Sequence, residues 1–64
     1  MIINGKPVAL PAAIILSELL EQRGYKANLV AVELNGHIVK RSTYSSTMLT
    51  DADKLEIVSF VGGG

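Results

Sequence analysis

Hydrophobic and polar residues alternate along this chain with two different periods. In the opening "MIINGKPVAL", Ile2 and Ile3 precede Asn4-Gly5, and Val8 and Leu10 follow it with period two. Asn-Gly between such runs predicts a β-hairpin, because both residues accept the positive φ of a tight turn. Pro7 then belongs on an edge strand, where no ladder bond needs its missing N–H. In "AAIILSELLEQRG" the period changes. Leu16, Leu19, Leu20 and Arg23 recur at i, i+3, i+4 and i+7, Ile14 and Ile15 widen the apolar stripe, and Glu18, Glu21 and Gln22 fall largely opposite. That spacing predicts an amphipathic helix of roughly three turns, with Gly24 as its left-handed terminator. No Ser, Thr, Asp or Asn stands where its N-terminal cap belongs.

Alternation returns in "NLVAVELNG": Val30, Val32 and Leu34 point one way, Ala31 and Glu33 the other. A second Asn-Gly turn leads into the short strand "HIVKR". "STYSSTMLTDAD" reads as a polar, turn-rich loop with room for one turn of helix, and "DKLEIVSFV" as the last strand. The order ββαβ(β)β predicts an α+β fold of the β-grasp type. It has a mixed four- to five-stranded sheet packed on one helix, with the first and last strands adjacent at its centre. The expected division is a body of residues 1–61 and a flexible glycine tail of residues 62–64.

The last strand carries the strongest functional signal. Period two sets Leu55 and Ile57 toward the helix and Glu56, Val58 and Phe60 on the opposite face. A domain with one helix has nothing of its own to cover that face, so exposed Val58 and Phe60 predict a docking surface. The alternative is a two-sided central strand whose outer face the polar loop covers. Beyond Phe60 the chain runs through Val61 into Gly62, Gly63 and Gly64. Three extended residues reach about 10 Å, enough to pass a terminal carboxylate through a narrow channel, and glycine leaves that channel free of side chains. Set against this is an incidental soft end, since glycine is the residue most costly to order.

Composition removes several function classes. Sixty-four residues make one small domain, which at this size buries only about 60% of its unfolded surface. The chain holds no cysteine, which excludes disulfides, thiolate ligands and a sulfur nucleophile. Six basic and six acidic residues cancel, which counts against nucleic acid as a partner. No apolar run approaches the roughly 20 residues of a membrane span, and "MIINGK" lacks a signal-peptide layout, so the cytoplasm is the expected location. The single His37 has no carboxylate cluster beside it, and Ser42, Ser45, Ser46 and Thr47 have no relay within reach in sequence. Asp51, Asp53 and Glu56 fall short of a calcium loop, which needs more oxygen ligands and a glycine at its bend. Lys40 and Arg41 are surface charges, with Arg41 divided between docking and plain structural pairing.

With these elements in place, the stretches "VAVELNGHIVKRSTYSST" and "LTDADKLEIVSFVGGG" closely resemble the thiamine-biosynthesis sulfur-carrier proteins, the ThiS family. "IINGK" and "LSELLEQRG" fit as well, so the resemblance spans essentially the whole chain. It implies a ubiquitin-like β-grasp domain that serves as a protein co-substrate and is not itself an enzyme. The resemblance further implies that the C-terminal carboxylate would be adenylated by a ThiF-like enzyme, converted to a thiocarboxylate, and would donate its sulfur to a ThiG-like thiazole synthase. By position Gly64 carries the adenylate and then the thiocarboxylate, Gly62 and Gly63 thread the partner, and Val58, Phe60 and Arg41 match the docking approach. No cofactor is expected on this chain; ATP and Mg²⁺ belong to the activating enzyme, and the free carrier is expected to be a monomer. A carrier for molybdopterin synthesis, a ubiquitin-like modifier and a non-catalytic β-grasp interaction module are the alternatives. Lys40, Tyr44, Asp51-Ala52-Asp53 and Ile15 depart from the family's usual residues, Ile15 standing where a capping threonine is typical.

Overall fold

The computed structural model describes residues 1–60. The expected boundary at residue 61 and the glycines Gly62–Gly64 lie outside the described residues.

Strands β1 (Ile2–Ile3) and β2 (Lys6–Pro7) form the first hairpin, with Ile3 opposite Lys6 across the two-residue turn. Asn4 at φ 51° and Gly5 at φ 81° supply the two left-handed positions of a type I′ turn. Pro7 lies in an edge strand, as its missing donor requires. Strand β2 stops there, and Val8 and Leu10 instead pack half-buried against the core. The second Asn-Gly, with φ of 51° and 85°, joins β4 (Val30–Leu34) to β5 (His37–Ile38) in the same way.

The helix is shorter than its apolar periodicity predicts. Ile14–Ile15 form a strand, β3, and the helix α1 covers only Leu16–Gln22, about two turns. Strand β3 pairs antiparallel with β6 (Met48–Leu49), a strand hidden within the expected polar loop, to make a separate two-stranded sheet. The physical reason lies at the helix start. β-Branched isoleucines favour extended backbone, and the first helical N–H groups bond to backbone carbonyls of the distant loop: Leu16 N–H to Thr47 O at 2.8 Å and Ser17 N–H to Tyr44 O at 3.0 Å. Ile15 at the cap position makes no side-chain cap bond, and with those carbonyls in place none is needed. The other end follows expectation. Gly24 has φ 81°, Gly24 N–H reaches Glu21 O and Tyr25 N–H reaches Leu20 O, which together make a Schellman motif.

The main sheet has five strands in the order β2-β1-β7-β4-β5, where β7 is Lys54–Ser59. Strands β1 and β7 run parallel at its centre, and β4 lies antiparallel to β7 in a register from Val30 opposite Ser59 to Leu34 opposite Leu55. Leu16, Leu19 and Leu20 of the helix are buried in one core with Ile3, Val30, Val32, Leu55 and Ile57, closed by Tyr44 and Leu49 from the loop side. Both turn asparagines also tie down β7. Asn4 Oδ1 accepts from Ile57 N–H at 2.7 Å, where β1 has already turned away, and Asn35 Oδ1 accepts from Lys54 N–H at 2.9 Å. Among the described residues no helix is long and apolar enough to cross a membrane.

Candidate functional site

Strand β7 separates its two faces as the alternation predicts. Leu55 is fully buried and Ile57 nearly so, whereas Val58 is 58% and Phe60 62% exposed. The polar loop does not cover this outer face. Directly paired residues share a face of a sheet, so the register assigns the rest of it: Ala31 opposite Val58, Glu33 opposite Glu56, Ile38 opposite Glu33 and Ile2 opposite Lys54. Ile2 and Ile38 are exposed apolar members of the face that single-strand alternation misses. The Asn35-Gly36 turn already contains the signal for Ile38: a two-residue loop pairs Leu34 with His37, and Ile38 must then face Glu33. Exposed apolar residues on one open sheet face make it a candidate interaction surface.

Polar groups punctuate that surface. Glu33 and Glu56 stand directly opposite one another and, with Lys54, Asn35 and Gly36, line an open groove of about 510 Å³. Like charges in register oppose each other, and Lys54 lines the same groove. Asp51 and Asp53 are engaged in local structure. Asp51 Oδ1 accepts from the Met1 ammonium at 2.8 Å and from Leu10 N–H at 3.0 Å, and Asp53 accepts from Asn35 Nδ2 at 3.0 Å and Thr50 N–H at 2.8 Å. The ammonium bond and the Leu10 N–H hold the Asp51 carboxyl below its ordinary value; the Asn35 amide and Thr50 N–H do the same for Asp53. No group of three or more metal-ligating side chains occurs among the described residues.

Arg41 opens a 3-10 turn, Arg41–Thr43, and its Nε–H donates to the Ala27 carbonyl at 3.0 Å. Ala27 begins a second 3-10 turn, Ala27–Leu29, and the Leu29 carbonyl accepts from Phe60 N–H at 2.8 Å. Arg41 and Phe60 are thus bonded to the two ends of one short turn, at the end of the sheet where the chain passes into residues 61–64. Gly62, Gly63 and Gly64, the expected threading and carrier residues, lie outside the described residues.

A model of the ThiS family matches residues 1–64. The chain belongs to the ThiS family. The crystal structure of the thiamine biosynthesis protein ThiS from Geobacter metallireducens superposes with a TM-score of 0.80 at 35% identity, over 98% of this chain and 96% of that one. The fold is therefore the β-grasp of the ThiS structures, with a five-stranded mixed sheet and one helix. The sulfur carrier protein ThiS of Bacillus subtilis is 39% identical over 49 residues, 77% of this chain and 74% of that protein. Thiazole synthase of Paramagnetospirillum magneticum is 42% identical over the whole chain. This chain spans only about a fifth of that synthase, 20% of its length.

Proposed function

We propose that this ThiS-family protein is a sulfur carrier of thiamine biosynthesis, acting as a protein co-substrate through the carboxylate of Gly64. One observation carries the reading: exposed Val58 and Phe60 lie on the open face at the end of the central strand, and Phe60 is the last described residue before the glycine segment in sequence. Family membership over residues 1–64 supports the same assignment.

In the proposed cycle a ThiF-like enzyme takes up the sheet face and receives the glycine segment in its active site. The Gly64 carboxylate oxygen attacks the α-phosphorus of ATP, the bond to the β-phosphate breaks, and pyrophosphate leaves. Carboxylate oxygen is a poor leaving group, whereas AMP is a good one, so a sulfide-level sulfur nucleophile can then attack the acyl carbon, the C–O bond to AMP breaks, and AMP leaves behind a thiocarboxylate. ATP and Mg²⁺ are held by the activating enzyme. The acceptor is a ThiG-like thiazole synthase; relatives named thiazole synthase that contain a stretch similar to this whole chain favour that acceptor over a molybdopterin pathway. The test is ATP–pyrophosphate exchange with the activating enzyme. Exchange that requires this protein and vanishes on deletion of Gly64, with the fold intact, supports the reading, and exchange that persists without Gly64 refutes it.

A further inference from the structure

We propose that Arg41 is a positioning residue for the carrier end, acting through the turn on which Phe60 is hung and not through its charge; the proposal rests on the carrier reading above. The chain of contacts is short. Arg41 Nε–H donates to Ala27 O at 3.0 Å. The Ala27–Leu29 turn is closed by Leu29 N–H to Lys26 O at 2.9 Å, and Leu29 O receives Phe60 N–H at 2.8 Å. The register of β7 with β4 ends at Ser59 opposite Val30, so the Phe60–Leu29 bond is the next one beyond the paired strand. Whatever fixes Leu29 therefore fixes the acceptor that holds Phe60, the last described residue.

That turn has no side-chain cap of its own at Lys26. Its bracing comes from the 41–44 segment, which is itself anchored. Thr43 Oγ1 donates to Lys40 O at 2.7 Å, Tyr44 N–H donates to Arg41 O at 3.1 Å, and the buried Tyr44 places its hydroxyl 3.4 Å from Val30 O. Arg41 and Tyr44 therefore bond Ala27 and Val30, which flank Leu29 in sequence, from one short segment. A chain end delivered to a reacting phosphorus gains from a fixed point of departure, since misplacement by about 1 Å can lower a rate by roughly two orders of magnitude.

A brace and a docking charge make opposite demands on the side chain. Gln places its Nε2 donor at the same number of bonds from Cα as Arg Nε but carries no charge. Lys keeps the charge but moves the donor one bond outward and loses the planar geometry. The experiment measures amide hydrogen exchange in the free protein and pyrophosphate-exchange kinetics with the activating enzyme for Arg41→Gln, Arg41→Lys and Arg41→Ala. The brace predicts that Arg41→Ala and Arg41→Lys speed exchange at Phe60 and Leu29 while Val32 stays protected. It also predicts that these variants lower kcat about tenfold or more with little change in the KM for the carrier, because the loss is felt after docking. Arg41→Gln should retain both Phe60 protection and kcat. A docking charge predicts the reverse: KM rises, Lys rescues, Gln does not, and Phe60 exchange is unmoved. Protection lost evenly, Val32 included, would reduce Arg41 to general stability and overturn the proposal as well. The exchange comparison needs no partner, so it decides the brace even if unaltered protein supports no adenylation.

Discussion

Replacing Phe60 by Ala separates docking from folding. Phe60 is 62% exposed in the free protein, so a ring of the usual size leaves on the order of 100 Å² of apolar surface for a partner to cover. At about 25 cal/mol per Å², covering it is worth roughly 2.5 kcal/mol, or a factor of about 70 in binding. Losses of this size are typical of aromatic anchors at interfaces. The assay is the KM for the carrier in pyrophosphate exchange, read beside a thermal melt. Phe60→Ala should raise KM roughly 30- to 100-fold with kcat largely unchanged, the mark of binding shared by ground and transition states. The melt should barely move, because the removed ring atoms were mostly in water already. Leu55→Ala, on the buried face of the same strand, is the control: it should cost about 2–5 kcal/mol of stability, much of what a domain of this size possesses. A KM for Phe60→Ala within twofold of the unaltered protein would refute the assignment of this face.

Further outcomes follow from the turns and carboxylates. Gly24→Ala has no atom within 4 Å of the added Cβ but sits at φ 81°, so it should destabilise by about 1–2 kcal/mol from backbone strain alone, read by denaturant unfolding with an unchanged m-value. Asp51 and Asp53 both have carboxyls held below the ordinary 3.8, so their contribution to stability is fully present above that value and fades as pH falls through the lowered one. Melts from pH 6 to pH 2 should therefore lose stability chiefly below about pH 4, and the Asp51→Asn, Asp53→Asn double variant should lose less over the same interval. Equal losses in both proteins would contradict the assignment.

What local pattern could reveal, and what it could not, divides along the reach of the hydrogen bonds. Asn4-Gly5 and Asn35-Gly36 set their hairpins from two residues each, and the alternation of Leu55 to Phe60 assigned both faces of the central strand correctly. Pro7 announced an edge. The helix start was opaque because its first donors are satisfied by carbonyls of Tyr44 and Thr47, distant in sequence, and an apolar pair such as Ile14-Ile15 fits a helical stripe as well as a two-residue strand. Strand β6 was hidden for the same reason, since its pairing partner is Ile14-Ile15. At the candidate site, Val58 and Phe60 were legible from period two. Ile2 and Ile38 needed strand register, and the bond from Arg41 to Ala27 needed the folded structure.

The central claim is that the chemistry occurs on the main-chain carboxylate of Gly64. Its most direct test incubates the protein with the activating enzyme, ATP and a sulfur donor, traps any thiocarboxylate by alkylation, and maps the adduct by peptide mass spectrometry. Mapping is essential, because replacing oxygen by sulfur adds nearly the same mass as oxidising Met1 or Met48. An ATP-dependent alkylated adduct confined to the peptide ending in Gly64 is the predicted result. An adduct on any other peptide, or an unmodified Gly64 carboxylate in protein that still supplies sulfur for thiazole formation, would contradict it.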